Sequence, residues 1–170
     1  MIKILTWNIA GLPFPFNNFQ DNPVKRMKSI IKLINKSNPS IICLQEVFTK
    51  ELKKQINEHL HNLKYNVIIS NNPSNIFTVN GGLLIASKYK ILKIDSINYN
   101  KFINELNKIY PYTINKNGLC TFISTNECLD HILLFSKKNI IDSTKNWTIK
   151  KKIINYSDHY PLFTKIKFNH

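Results

Sequence analysis

Residues 40–46, Ser40-Ile41-Ile42-Cys43-Leu44-Gln45-Glu46, constrain the chain most: four consecutive apolar residues that end on an amide and a carboxylate. A continuous apolar run of this length reads as a strand covered on both faces. Its polar ending reads as a strand end that opens into a site. The flanks agree. Pro23 suits a first helical position, and Met27, Ile30, Ile31 and Ile34 recur at helical spacing with Lys and Arg between them. That spacing predicts an amphipathic helix from about Pro23 to Lys36, broken by Asn38-Pro39. Thr49 is expected to cap a second helix through about Leu60, with Leu52, Ile56 and Leu60 on one face. A buried strand between two one-sided helices belongs to a layered α/β arrangement.

The other segments fit such layers. Ile2 to Asn8 reads as a buried first strand, and Ala10 to Asn22, with Gly11, Pro13 and Pro15, as a loop. Further strands are expected at Tyr65 to Ser70, Gly82 to Ser87, Leu119 to Ile123, Cys128 to Ser136, Asn146 to Ile154 and Leu162 to Phe168. Ile91 to Ile94 is read as continuing the sheet. Phe102, Leu106 and Ile109 suggest a short third helix. Neither a repeat nor a linker interrupts the chain, so residues 1–170 are expected to form one domain.

Composition narrows the function classes. The 170 residues carry 24 Lys and Arg against 10 Asp and Glu, a net charge of +14. Such a field favours a polyanionic partner, nucleic acid included. The charge is dispersed, and Lys, Asn and Ile are abundant together, as an A/T-rich genome imposes on any protein. The balance is therefore permissive of nucleic acid without being diagnostic. No run is apolar enough to cross a bilayer, and the start of the chain lacks the regions of a signal peptide, so an intracellular protein is the default. Cys43, Cys120 and Cys128 have no zinc-ligand spacing and fit a reduced compartment. Cys43, within an apolar run, is expected in the core.

Polar residues interrupt or end the apolar strands at Asn8, Glu46, Asp130 and the Asp158-His159 pair. Each has a structural alternative: Asn8 closing a turn, Glu46 capping the following helix, Asp130 pairing with a Lys, and Ser157-Asp158-His159 forming a polar turn before the last strand. Their shared placement at strand ends, where a sheet gathers a site, raises the functional reading.

The ordered set Thr6-Trp7-Asn8-Ile9, Leu44-Gln45-Glu46-Val47, Gly81-Gly82-Leu83-Leu84-Ile85-Ala86-Ser87, Leu129-Asp130-His131-Ile132-Leu133 and Ser157-Asp158-His159-Tyr160-Pro161-Leu162 resembles the endonuclease/exonuclease/phosphatase (DNase I-like) superfamily. That group includes nucleases, neutral sphingomyelinases and inositol phosphatases. Ala10-Gly11-Leu12-Pro13 leans toward the sphingomyelinase type. The resemblance implies a four-layer α/β sandwich, two mainly antiparallel sheets flanked by helices. It implies hydrolysis of a phosphoester dependent on Mg²⁺ (or Mn²⁺). Residue by residue, it makes Glu46 the principal metal ligand with Asn8 beside it, and Asp158 a further metal-site residue. His159 would contact the phosphate or move a proton, and Asp130 would orient His159.

Two motifs usual in the family are missing between Ser87 and Leu129: a strand ending Thr-His-Leu, and a Gly-Asp-x-Asn that holds the attacking water and the phosphate. The nearest fragment, Asp95-Ser96-Ile97-Asn98, has one residue too many, which turns the second side chain to the other face of a strand. His131 stands where a Tyr usually follows the Asp. A weakened enzyme is one expectation. A catalytically inactive family remnant that binds nucleic acid or a protein through its basic surface is the alternative.

Overall fold

The computed structural model describes residues 1–12, 23–69, 82–94, 112–113, 133–134, 141–148, 157 and 159–168. Its elements in chain order are β1 (Ile2–Asn8), α1 (Pro23–Ser37), β2 (Ile41–Gln45), α2 (Lys50–Asn62), β3 (Asn66–Ile69), β4 (Leu84–Ser87), β5 (Tyr112–Thr113), β6 (Leu133–Leu134), β7 (Ile141–Thr148) and β8 (Leu162–Phe168). Six strands form one sheet in the order β3-β4-β2-β1-β8-β7, and β5 pairs with β6 separately. Only β1 and β2 run parallel; the other described pairs are antiparallel. The expected α/β architecture of mainly antiparallel sheets with helices is what the chain adopts.

Register explains which side chains are buried together. Residues directly opposite each other share a face of the sheet. Leu5 lies opposite Ile42 and Phe163, Trp7 opposite Leu44, and Ile42 and Leu44 opposite Ala86 and Leu84. These residues share a buried core with Met27, Ile30 and Ile34 of α1 and Leu52, Ile56 and Leu60 of α2. The two helices therefore spend their apolar stripes on one face. Cys43 points to the other face and is half-buried rather than central, which corrects the core assignment made from its apolar neighbours.

Both helices end by the same device. Asn38 and Lys64 take left-handed backbone, with φ of 46° and 62°. The Asn38 N–H bonds back to Ile34 O, and Lys64 and Tyr65 N–H bond to His61 O and Leu60 O. These bonds satisfy the last carbonyls of each helix. Thr49 caps α2 as expected, its side chain accepting the Leu52 N–H at 3.2 Å.

Three strand expectations need correction. β7 begins at Ile141, five residues before the expected Asn146, because its pairing with β8 starts at Ile141 opposite Phe168. The polar run Asp142-Ser143-Thr144-Lys145 hides that pairing from any apolar pattern. Ile91 to Ile94 forms no strand, and Leu92 and Ile94 are exposed. Tyr89 turns back there, its N–H donating to Ser87 Oγ. Gly82 stands outside β4, because its carbonyl accepts the Val47 N–H at 2.8 Å. The expected helix near Phe102 and the strand Leu119 to Ile123 lie outside the described residues.

Candidate active site

β1 and β2 run side by side, and their C-terminal ends bring Asn8 and Glu46 together. The Asn8 amide donates from Nδ2 to Glu46 Oε1 at 2.7 Å, and its Oδ1 accepts the Ala10 N–H at 3.0 Å. Asn8 thus closes a turn, its structural alternative, while orienting a carboxylate. Both polar atoms of its amide are engaged, and the second oxygen of Glu46 is the one this bond leaves for other work. Glu46 does not cap α2; Thr49 does.

Glu46 takes a left-handed backbone, φ 59°, and so does Ala10, φ 49°. Non-glycine residues there are strained by about 1–2 kcal/mol. The surroundings hold the strain in place. A β-carbon on Gly11 would sit 1.9 Å from the Glu46 carbonyl oxygen. One on Gly82 would sit 2.8 Å from the Val47 nitrogen and 2.6 Å from the Phe48 ring. Backbone packs directly on backbone on both sides of residues 46 and 47, and only glycine allows it. The Ile9 N–H bonds to Gln45 O at 3.1 Å, tying the two strand ends one residue beyond the ladder.

Arg26 secures the turn from below. It is buried on α1, donating from Nη1 to Ile9 O at 3.2 Å and from Nη2 to Ala10 O at 2.7 Å. A guanidinium fork can hold two successive carbonyls, which an ammonium cannot do with fixed geometry.

His159 is brought to the same end of β1 through its backbone. The Trp7 indole donates to His159 O at 2.9 Å. Ser157, fully buried, donates from Oγ to Asn8 O at 2.5 Å and accepts the His159 N–H at 3.1 Å. One hydroxyl thus links the residue that orients Glu46 to the histidine. Of the five residues singled out from sequence, Asn8, Glu46 and His159 meet at one end of the sheet, Asn8 as the link between the other two. Asp130 and Asp158 lie outside the described residues, as do His131, Asp95 and Asn98.

Sequence reasoning missed Ser157, Arg26, Gly11 and Gly82 as supports. One signal existed. Arg26 stands one turn before Ile30 on the apolar stripe, an unusual place for a charge. The glycines carried no such signal, because their closeness to residues 46–48 exists only in the fold.

The family model described as Endonuclease/Exonuclease/phosphatase family matches residues 5–124. No curated protein matches the chain by sequence. Solved structures of similar fold include TDP2 from C. elegans (TM-score 0.66, 14% identity, 99% of this chain and 75% of that one). A second is an endonuclease/exonuclease/phosphatase family protein from Leptotrichia buccalis C-1013-b (TM-score 0.64, 15% identity, 99% and 100%). A third is beta toxin from Staphylococcus aureus (TM-score 0.62, 12% identity, 98% and 100%). The family match stops before Ser157-Asp158-His159, but the likeness in fold spans nearly the whole chain. Matched over residues 5–124 and sharing the fold beyond them, the chain belongs to the endonuclease/exonuclease/phosphatase family.

Proposed function

We propose that this chain hydrolyses phosphoesters with the help of a divalent cation, magnesium or manganese. The observation that carries the reading is the 2.7 Å bond from Asn8 to Glu46, at a strand end where Glu46 is held in strained backbone. Strain maintained by the surrounding structure is characteristic of functional sites.

The donor chemistry fits a hard cation. Magnesium takes one or two carboxylates and keeps several waters, so it needs no dense cage. Glu46 would be the principal ligand and Asp158 a further one. Asn8, expected beside the metal, serves here to aim Glu46. The cation, when bound, neutralises phosphate charge and helps to ionise water. His159, its backbone fixed through Ser157 and Trp7, presents an imidazole to the phosphate, where it moves a proton or stabilises charge. Asp130 would fix the tautomer of that ring and favour its cationic form.

The missing Thr-His-Leu and Gly-Asp-x-Asn motifs set the expected rate. One lost transition-state contact costs about 2.7–4 kcal/mol, hundreds-fold in turnover. The enzyme is therefore expected to be slow. The test is a cleavage screen over DNA, RNA, phospholipid and phosphoinositide substrates with Mg²⁺ or Mn²⁺. Turnover is expected in one class, to stop with EDTA, and to fall by at least about a hundredfold in Glu46→Ala and in His159→Ala. Turnover that persists in EDTA, or in both variants, overturns the reading.

A further inference from the structure

The opposite end of the six-stranded sheet carries a row of lysines. Lys3 on β1 lies directly opposite Lys165 on β8, and Lys165 lies directly opposite Lys145 on β7. On the other side, the Lys88 N–H bonds to Ser40 O and the Ser40 N–H to Lys3 O. Lys88, Lys3, Lys165 and Lys145 thus run across the sheet from β4 to β7. With strands about 4.8 Å apart, the row is about 19 Å long. It lies five residues from Asn8 along β1, about 17 Å from the candidate active site.

Like charges directly opposite each other destabilise a sheet. Here two such pairs follow in succession. Burial first, then the charges of Lys165 and Lys88, hold the Lys3 ammonium below the ordinary lysine range. Helix capping accounts for part of the row. Lys3 Nζ donates to Ser37 O and Lys88 Nζ to Asn38 Oδ1, at the end of α1. A cation suits a helix C-terminus. That use does not explain Lys165, whose Nζ sits 5.7 Å over the Trp147 ring, or the exposed Lys145.

We propose that this row binds the phosphate backbone of a nucleic acid at a place separate from the candidate active site. Cations strung in a line match a linear polyanion; a single phosphate would need them gathered around one point. The net charge of +14 adds long-range attraction of the same sign. The proposal does not rest on the hydrolase reading, and its test runs in EDTA, where no metal-dependent turnover occurs.

The experiment measures fluorescence anisotropy of a labelled 20-nucleotide single strand against salt concentration, using the full chain. The Lys145→Gln/Lys165→Gln double variant is compared with Lys28→Gln/Lys32→Gln, which removes the same charge from the exposed face of α1. The first pair is expected to weaken binding about tenfold and to reduce the log–log salt slope by about two; the second is expected to leave the slope near that of the parent. Thermal unfolding of the first variant is expected at or above the parent temperature, because a like-charge pair is relieved. Equal weakening by both pairs overturns the proposal. So does the lack of salt-dependent binding, or binding to phosphatidylserine vesicles but not to the oligonucleotide. A clear fall in unfolding temperature for the first variant would make the row structural and also overturn it.

Discussion

The two ends of β1 store different kinds of strain. At the C-terminal end the strain is conformational: Glu46 and Ala10 sit in left-handed backbone, pressed by Gly11 and Gly82 and tied by Arg26 and Ser157. At the N-terminal end the left-handed residue is Asn38, a residue type that tolerates that backbone, and the strain is electrostatic, Lys3 facing Lys165 and Lys165 facing Lys145. Conformational strain fixes one side chain in one place, as an ordered catalytic group requires. Electrostatic strain fixes nothing; it is relieved by any anion that fits. The contrast matches the two proposals, chemistry on one phosphate at the first end and the holding of many at the second.

The sharpest way to break the contrast is Gly11→Ala. Its β-carbon would overlap the Glu46 carbonyl, so backbone must move at the point that aims the carboxylate. Misplacement by about 1 Å can cost a hundredfold in rate. We expect metal-dependent kcat/KM to fall by about that much. A variant with parental kcat/KM would show that the close approach is not what positions Glu46. Oligonucleotide binding at the lysine row should be unchanged, since the row lies at the far end of the sheet.

Ser157→Ala comes next. It leaves Asn8 O and the His159 N–H without the hydroxyl that serves both. A buried group left unsatisfied costs about 1–3 kcal/mol. Urea denaturation is expected to show a loss in that range, together with lower turnover. Unchanged stability would mean that water or another group takes the place of the hydroxyl.

How much of this was legible in the sequence follows from what each residue answers to. α1, α2 and β8 were readable because their patterns are local: Met27, Ile30 and Ile34 recur at helical spacing, and β8 is an apolar-polar run that alternates from Lys165 to Phe168. β7 was placed late because its partner, β8, decides where it starts. The site was half legible. Asn8, Glu46 and His159 were marked by polarity at strand ends. Gly11 and Arg26 act through carbonyl oxygens of residues distant in sequence, and a carbonyl is the same in every residue, so the charge on the α1 stripe marks Arg26 as unusual without naming its partners. Cys43 was misplaced because a run of apolar residues does not say which of them faces the helices.

A pair of substitutions at Glu46 isolates the conformational strain. Glu46→Ala and Glu46→Gly both remove the carboxylate, so both lose the Asn8 bond and are expected to lose the proposed activity. They differ in the cost of left-handed backbone, about 1–2 kcal/mol for alanine and little for glycine. At an ordinary position alanine is the more stable of the two, because glycine gains entropy on unfolding. Here the glycine variant is expected to unfold about 2–4 °C higher for each 1 kcal/mol relieved. The reverse order would show that residue 46 is not strained in solution.

The smallest effect belongs to the lysine end and appears in alkali. Burial pushes the Tyr65 phenol up to about 12, and its hydroxyl donates to Pro39 O at 2.5 Å. An unfolded tyrosine titrates near 10. The folded chain therefore keeps a proton that the unfolded chain gives up, and this stability is full below pH 10 and lost as pH rises from 10 to 12. Lys3 works in the opposite sense. Its ammonium is disfavoured in the fold, a penalty relieved as rising pH removes the proton. Cys43, pushed up by burial, adds to the tyrosine effect from its own lower range. Urea denaturation at pH 9.5 and 11 separates the contributions: Tyr65→Phe is expected to lose less stability between the two than the parent, because the lysine relief remains and the tyrosine loss does not. Equal losses would show that the phenol is not held protonated by the fold.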